Sequence, residues 1–494
     1  MDTRYIVAIE IGSSKAKGLV ASVGELGDIN VIAIEEARLD DCTRYGKIQN
    51  VQEVSAHVND IIRKLENNPR IAPRKVSDIF ISVGGRSMTT AKAQTQRSFQ
   101  SPIDITADTI KRLENDASFG LVTDKTNLAM LPHAFYVDNA EVKKVVGTVG
   151  STIKAVFNAI VVAPSLIDNL KRMRLDNRQT HFIIRPTALA DLVLTSSDKQ
   201  LGCALVDFGS ETTTVSIYKD QVLQNIITLP IGSRNITRDL MIGLGMTEES
   251  AEEAKIRSGV SQTNETKSSS EAEINNYISA RAGEIIANIM HQIEAAGFKP
   301  QTLKAGIILT GGGSRLTNFD RLVETQSKMP VRVAAIDSSL QFKGSNFDRN
   351  TNIDILAIAK NATEKFTIDC LTPMPVEVAP DPEEFTQPGA QHYPASGQHP
   401  HHATPGRRQP VDEDSLLDDD DDYDNTPVNK HVRVTSKKPR RDDSDQYIDD
   451  TPSTGKEPRG GGIIRGIRER LAKISTNFWE DPQDDDDDID DPVD

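Results

Sequence analysis

The sequence predicts an α/β fold in which one structural unit occurs twice, followed by a long polar tail. Three observations carry this. A short pattern appears twice, 197 positions apart, as AIEIGSSK (8–15) and within LVDFGSETTT (205–214). In both, apolar residues lead to an acid, a glycine and a serine, so Glu10 stands opposite Asp207, Gly12 opposite Gly209 and Ser13 opposite Ser210. Strand-like and helix-like stretches then alternate as far as NIDILAIAKNAT (352–363), the rhythm of layered α/β domains. At residue 371 the composition changes to blocks of Pro, Gln, His, Asp and Lys/Arg with few apolar residues.

The elements follow in order. Residues 4–11 and 16–22 read as a β-hairpin around GSSK, and 30–39 as a third strand. Asn50 and Glu53 form a capping-box pattern at a helix start, and Val51, Val54, Val58, Ile61, Ile62 and Leu65 give that helix its apolar stripe. Residues 76–85 are a strand closed by glycines. Residues 84–162 break the rhythm and read as a small inserted domain, with a helix over 104–117 and strands around 133–138 and 152–163. Pro164 suits a helix start, and 182–195 give a strand and a short helix. The second copy opens at Leu201. Its helix over 235–246 ends at Gly243 or Gly245, a charged helix covers 248–259, an exposed loop 261–273 and a long helix 274–296. Residues 305–316 are a strand, a glycine turn and a helix start, and 331–337 are the last strand.

The 494 residues suffice for about three domains. The formal charge of −16 is concentrated: residues 371–494 hold 30 acids against 14 Lys/Arg, and the first 370 residues balance at 43 of each. No basic face of the kind a general nucleic-acid binder needs is evident. Three isolated cysteines, Cys42, Cys203 and Cys370, form neither a disulfide framework nor a zinc-type spacing and suit a reducing compartment. MDTRYIVAIE lacks the apolar run of a secretory signal, and no window has 18 apolar residues to span a bilayer.

A strand that stops at an acid, turns through glycine and returns presents N–H groups and hydroxyls at a tight corner, which suits a phosphate. The acid suits the Mg2+ that travels with it. Two such corners point to one nucleotide held between two halves. Thr310-Gly311-Gly312-Gly313-Ser314, three glycines after an apolar strand, lets backbone approach a ligand closely. Neither a P-loop nor a dinucleotide fingerprint is present. Glu252 and Lys255 put a carboxylate and an ammonium one helical turn apart.

Taken in order, the two hairpins, Arg185-Pro186-Thr187-Ala188, the AEEAK helix and LTGGGSRL resemble the actin-like ATPases. IEIGSSK, GKIQN (46–50), PIGSRNITRDL (230–240) and ISARAGEI (278–285) resemble the FtsA family of bacterial cell-division proteins. The resemblance covers roughly residues 4–365 and implies a duplicated actin-like fold. Its subdomains would be 1A (1–83 and 163–200), 1C (84–162), 2A (201–233 and 304–370) and 2B (234–303). It further implies ATP and Mg2+ in the cleft. Glu10 and Asp207 are the expected catalytic and metal-holding acids, acting on Mg2+ through water. Gly12, Ser13, Ser14 and Lys15 would form the first phosphate loop, and Gly209, Ser210, Glu211, Thr212 and Thr213 the second. Gly311, Gly312, Gly313 and Ser314 are expected beside the adenosine, with Glu252 and Lys255 near the ribose and base. The first loop usually begins with Asp in this family, whereas this chain has Glu10, so nucleotide binding is expected with weak or no hydrolysis.

Residues 371–458 cannot bury enough apolar surface to form a core and are expected to be a disordered linker, spanning on the order of 50 Å as a coil. Beyond them, residues 459–480 are expected to hold a membrane-targeting amphipathic helix. On 463–479, Ile463, Ile464, Ile467, Leu471, Ile474 and Phe478 share one helical face. Arg465, Arg468, Arg470 and Lys473 flank it, with Trp479 at the end, the pattern of a membrane-surface anchor. An acidic tail follows, with ten acids in residues 480–494, and is expected to weaken the binding of a single protomer. The family resemblance implies self-association into filaments and contact with the C-terminal peptide of the tubulin-like protein FtsZ through subdomain 2B, where Arg257 and Arg281 are candidate contacts. It also implies recruitment of other division proteins and a peripheral site on the inner face of the cell membrane. Rival readings are a sugar- or acetate-type kinase, an actin-like pilus-assembly or rod-shape scaffold, and a chaperone-type ATPase. A kinase has no use for the terminal helix, and a chaperone needs a folded domain after residue 370.

Overall fold

The computed structural model describes residues 3–372 apart from 26, 40, 122–123, 261–267, 338–341 and 345–346. The expected linker after 372, the terminal helix and the acidic tail therefore lie outside the described residues.

Strands β1 (Arg4–Ile11), β2 (Lys15–Val23) and β3 (Ile29–Arg38) form an antiparallel meander. Two short strands, β4 (Thr43–Arg44) and β5 (Lys47–Ile48), pair before helix α1 (Val51–Glu66). Asn50 caps α1 by accepting from the Glu53 N–H. Glu53 Oε2 accepts from the Asn50 side-chain amide and not from its backbone N–H, so the expected capping box is half formed. Val54, Val58, Ile61, Ile62 and Leu65 are buried as the stripe predicts. Strand β6 (Asp78–Val83) then runs parallel to β1.

The inserted segment folds as β7 (Thr89–Asp104), α2 (Ala107–Phe119), β8 (Thr126–Val137), β9 (Ala140–Glu141) and β10 (Val149–Val162). It has its own small core around Ile105, Leu113, Ile153 and Phe157. Helix α3 (Pro164–Arg172) begins at its proline. Strand β11 (Gln179–Ile184) pairs parallel to β6 and runs directly into α4 (Arg185–Val193), and α5 (Ser196–Leu201) ends the first half.

The second half repeats the plan: β12 (Cys203–Phe208), β13 (Thr213–Lys219), β14 (Val222–Leu229), then α6 (Ser233–Leu244), α7 (Glu248–Ser258) and α8 (Ser269–Ala295). After these come β15 (Gly306–Thr310), a 3-10 turn at Gly312–Arg315, α9 (Phe319–Ser327) and β16 (Val331–Val333). Helix α6 ends at Gly245, whose left-handed backbone (φ 65°) terminates it.

The duplication is exact in topology. One sheet has the order β11-β6-β1-β2-β3 and the other β16-β15-β12-β13-β14, with the same parallel and antiparallel senses. Strand β12 is buried throughout because its two faces serve two cores. Cys203 and Leu205 join the first, while Ala204, Val206 and Phe208 join the second. Alternation therefore turns Asp207 to the same side as Leu205, toward the first half.

Three expectations are corrected. Helix α8 starts at Ser269, capped by Ser268 with Glu271, so the second part of the expected loop 261–273 is helical. The last strand of this sheet stops at Val333. Most significantly, the chain after Val333 returns to the first half: β17 (Phe342–Lys343) pairs with β3, and α10 (Ile353–Lys365) packs on β1, β2 and α4. Its apolar face, Ile355, Leu356, Ile358, Ala359 and Ala362, is fully buried in the first core, whereas the resemblance implies that residues 304–370 belong to subdomain 2A. The inserted sheet also joins the second one edge-on, through Ile227 beside Thr89.

Candidate functional site

The two hairpin tips carry one geometry. The Gly12 N–H donates to Lys15 O at 3.0 Å, and the Gly209 N–H donates to Thr212 O at 2.9 Å. Four residues separate the last paired positions in each, Ile11 with Ala16 and Phe208 with Thr213. The tips are then held from outside. The Thr43 hydroxyl lies 3.2 Å from Gly12 O and 3.0 Å from Ser13 O. In the second half the backbone N–H groups of Ser233 and Arg234 reach Gly209 O (3.0 Å) and Ser210 O (2.7 Å). Binding the outward carbonyls at each tip fixes how the loop presents its remaining groups.

A third wall follows β15, whose Thr310 lies beside Asp207 in the parallel pair. Gly311 has φ +87°, and a Cβ there would sit 2.6 Å from Asp207 Oδ1 and 2.5 Å from Phe208 O. Only glycine fits so close to the acid. Gly313 packs against the Phe208 ring, whereas a Cβ on Gly312 would have nothing within 4 Å. Ser314 turns its hydroxyl back to Gly311 O at 2.7 Å.

Between the tips lies a buried charge cluster. Arg185, the first residue of α4, donates from Nη1 to Glu10 Oε1 at 3.2 Å and from Nη2 to Asp207 Oδ2. One guanidinium thus joins an acid from each half. Lys17, the cross-strand partner of Glu10, donates to Thr351 O (2.7 Å) and Asn352 Oδ1 (3.0 Å) at the start of α10. Asp354, in the first turn of α10, is the third acid and interacts with Arg185, Lys17 and Asp207. Burial dominates the electrostatics. It pushes the Glu10 carboxyl up to about 7, against the pull of Arg185, raises Asp354 and lowers Lys17. Asp207 Oδ1, Asp354 Oδ1 and Thr310 Oγ1 are buried without a hydrogen-bond partner among the described residues.

The acids expected to hold Mg2+ therefore do not fit a metal as they stand. A guanidinium occupies the space between Glu10 and Asp207 and is bonded to both, and Lys17 adds a second positive charge close to Glu10.

The other expected residues divide. Gly12, Ser13 and Ser14 reach the surface of the first tip, and Lys15 pairs with Glu36 at 3.0 Å. Gly209, Ser210 and Thr212 are half-buried. Thr213 donates to Ile231 O at 2.7 Å. Glu211 is 1% exposed; it accepts from the Tyr45 N–H at 2.7 Å and pairs with Arg234 and Arg238, each at 3.3 Å. An acid so placed joins the two halves and does not offer a phosphate a donor. Glu252, Lys255 and Thr237 form a linked group, with Nζ 2.6 Å from Glu252 Oε2 and 3.0 Å from the Thr237 hydroxyl. Arg281 is buried against Asp239 (2.5 and 2.9 Å) and Glu284 (2.7 Å), so it does not meet an external peptide; Arg257 is exposed. Cys42, Glu53 and His57 each bring a ligand atom within 4.8 Å of the others, although the sequence has no zinc-type spacing. Ile463, Ile464, Arg465, Ile467, Arg468, Arg470, Leu471, Lys473, Ile474, Phe478 and Trp479 lie outside the described residues, among which no helix is long and apolar enough to cross a membrane.

Sequence reasoning missed Lys17, Arg185 and Asp354 as members of this cluster. The available signals were a charged residue ending the apolar run Phe182-Ile183-Ile184 before Pro186, and a lone acid inside the apolar helix NIDILAIA.

Comparison with known proteins shows a likeness in sequence and in fold. Residues 204–351 match the family model of the cell division protein FtsA. The cell division protein FtsA of Porphyromonas gingivalis is 29% identical over 339 residues, covering 65% of this chain and 70% of that protein. The FtsA of Neisseria meningitidis serogroup B is 24% identical over 351 residues, covering 67% and 84%. Among solved structures, the PilM-PilN type IV pilus biogenesis complex is similar at a TM-score of 0.50 and 12% identity, covering 72% of this chain and 98% of that one, a likeness of fold alone. With its two matching half-sheets the chain has the actin-like fold, and its sequence is similar to those of the FtsA cell-division proteins.

Proposed function

We propose that this protein is an ATP-binding division scaffold that polymerises and links a ring of FtsZ to the inner face of the cell membrane. The observation that carries the reading is the pair of matching glycine tips, with Gly311 as third wall, around one buried charge cluster. Two tips of one geometry suit a chain of phosphates, and the open side of Gly312 suits a flat nucleoside. The terminal segment supplies the membrane contact, each basic side chain adding roughly 1 kcal/mol near anionic lipid. Many weak anchors on one filament hold by avidity, which gives the acidic tail a use in keeping lone protomers off the bilayer. Turnover is slow or absent in this reading, because Glu10 is engaged by Arg185.

The test is recruitment of purified FtsZ to anionic liposomes by the full chain, with and without ATP. Recruitment that needs both this protein and ATP is the expected result; none with ATP present removes the proposal. Arg468→Glu is expected to abolish attachment and leave ATP affinity unchanged.

A further inference from the structure

Between the two tips a buried, positively charged group stands between Glu10 and Asp207, the acids expected to hold a metal ion. Arg185 reaches this place from a fixed base. Strand β11 runs straight into α4, Pro186 follows at once and restricts the backbone, and Thr187 ties its hydroxyl to Ile184 O at 2.9 Å. Gly84 runs alongside, where even a Cβ would come only to 3.7 Å from that of Arg185. The guanidinium then spans the halves, one nitrogen to Glu10 and another to Asp207. These two bonds use two of its five N–H donors.

We propose that Arg185 is the resident cation of this cluster, standing where a divalent ion would bridge Glu10 and Asp207, so that nucleoside triphosphate binds without a divalent metal. The inference rests on the ATP reading above for its ligand. Its claim about the metal is separate. Two acids already bonded to one guanidinium have lost the open, oxygen-only environment that Mg2+ requires. Lys17, held near Glu10 by its bonds to residues 351 and 352, adds further repulsion to an incoming ion. A planar guanidinium also suits phosphate oxygens, which it meets with donors in a fixed fork. The buried, unpartnered Oδ1 of Asp207, beside Gly311, remains an acceptor for a ligand or water donor.

Two measurements on the full chain test this. In the first, equilibrium dialysis with ATP is run in Mg2+ and in excess EDTA. Affinities within about twofold of each other support the inference, and a loss of roughly tenfold or more in EDTA, the scale of a removed metal contact, overturns it while leaving ATP binding intact. No binding in either arm removes the ATP reading and the nucleotide part of the inference with it. The second measurement uses Mn2+ alone, followed by the paramagnetic signal of the unbound ion. The acidic tail is the same in every variant, so the readout is the difference between them. Arg185→Gln is expected to gain one site at least about tenfold tighter than any in the unsubstituted protein, and to melt at a higher temperature with Mn2+ than without. Arg185→Lys keeps the charge and is expected to gain none. Equal Mn2+ uptake by Arg185→Gln and the unsubstituted protein overturns the resident-cation role. If Arg185→Gln does not fold, the dialysis of the unsubstituted protein decides alone.

Discussion

The two hairpin tips share a strand order, a turn length and a closing hydrogen bond, yet their surroundings differ. The second is built into its half. Strand β12 is buried on both faces, backbone N–H groups of the next helix grip the turn carbonyls, and Glu211 ties the turn to two arginines and to Tyr45 of the other half. The first tip is exposed at Ser14 and Lys15; one side chain, Thr43, holds the carbonyls of Gly12 and Ser13, and a single backbone N–H, that of Leu39, holds Ser14 O at 2.9 Å. Duplication copied the backbone plan and left the side chains free to diverge. The fixed tip sets the position of the acid; the lightly held tip is the one able to adjust to a ligand.

The largest effect that breaks this comparison is at Glu211. Replacing it with Gln leaves two arginines without their shared, almost fully buried counter-charge. Removing one member of such a cluster costs about 3–5 kcal/mol, and the partial exposure of Arg234 (18%) and Arg238 (31%) places this case near 3. Chemical denaturation measures it. A loss below about 1 kcal/mol, the level of a surface pair, would show that the second tip is no better anchored than the first.

Next comes the glycine after the inner parallel strand. Gly311 follows β15 as Gly84 follows β6. Gly311→Ala must put a Cβ 2.5 Å from Phe208 O at φ +87°, a strain of about 2 kcal/mol or more. It also displaces Asp207, so ATP affinity falls together with stability. At Gly84 the new methyl meets only Arg185 side-chain carbons at 3.7 and 3.9 Å, an ordinary contact, and Gly84→Ala is expected to stay within about 0.5 kcal/mol. Paired melting and dialysis of the two variants check both statements; equal effects would mean that the third wall is not particular to the second half.

Much of this plan could be read in the sequence because it depends on local pattern. The acid-x-Gly-Ser echo, the α1 stripe and the stop at Gly245 each involve residues within a turn or two of one another. What escaped depends on distance or on polarity. Arg185 gains its role from acids 175 and 22 positions away, and no periodicity records that. Strand β7 was hidden because TTAKAQTQRSFQSPID is largely exposed and offers few apolar residues. Glu211 sits within the loop pattern and reads as a ligand group, and only the fold shows Tyr45 and two arginines around it. The return of β17 and α10 to the first core is likewise a fact of topology, since an apolar helix does not name the sheet it will cover.

The smallest effect is the sharpest test of the contrast. Thr43→Val keeps the shape of the side chain and removes the hydroxyl that reaches Gly12 O and Ser13 O. A lost hydrogen bond of this kind is worth about 1 kcal/mol, so global stability should scarcely change. The loss is confined to one turn, and amide exchange at Ser13, Ser14 and Lys15 should quicken by roughly fivefold, the kinetic equivalent of that energy. No matching side-chain substitution exists in the second half. The groups on Gly209 O and Ser210 O are backbone N–H groups, so Ser233→Ala should leave exchange at Ser210 unchanged. If Thr43→Val were silent and Ser233→Ala were not, the second tip would be the adjustable one, and the roles assigned to the two halves would have to be exchanged.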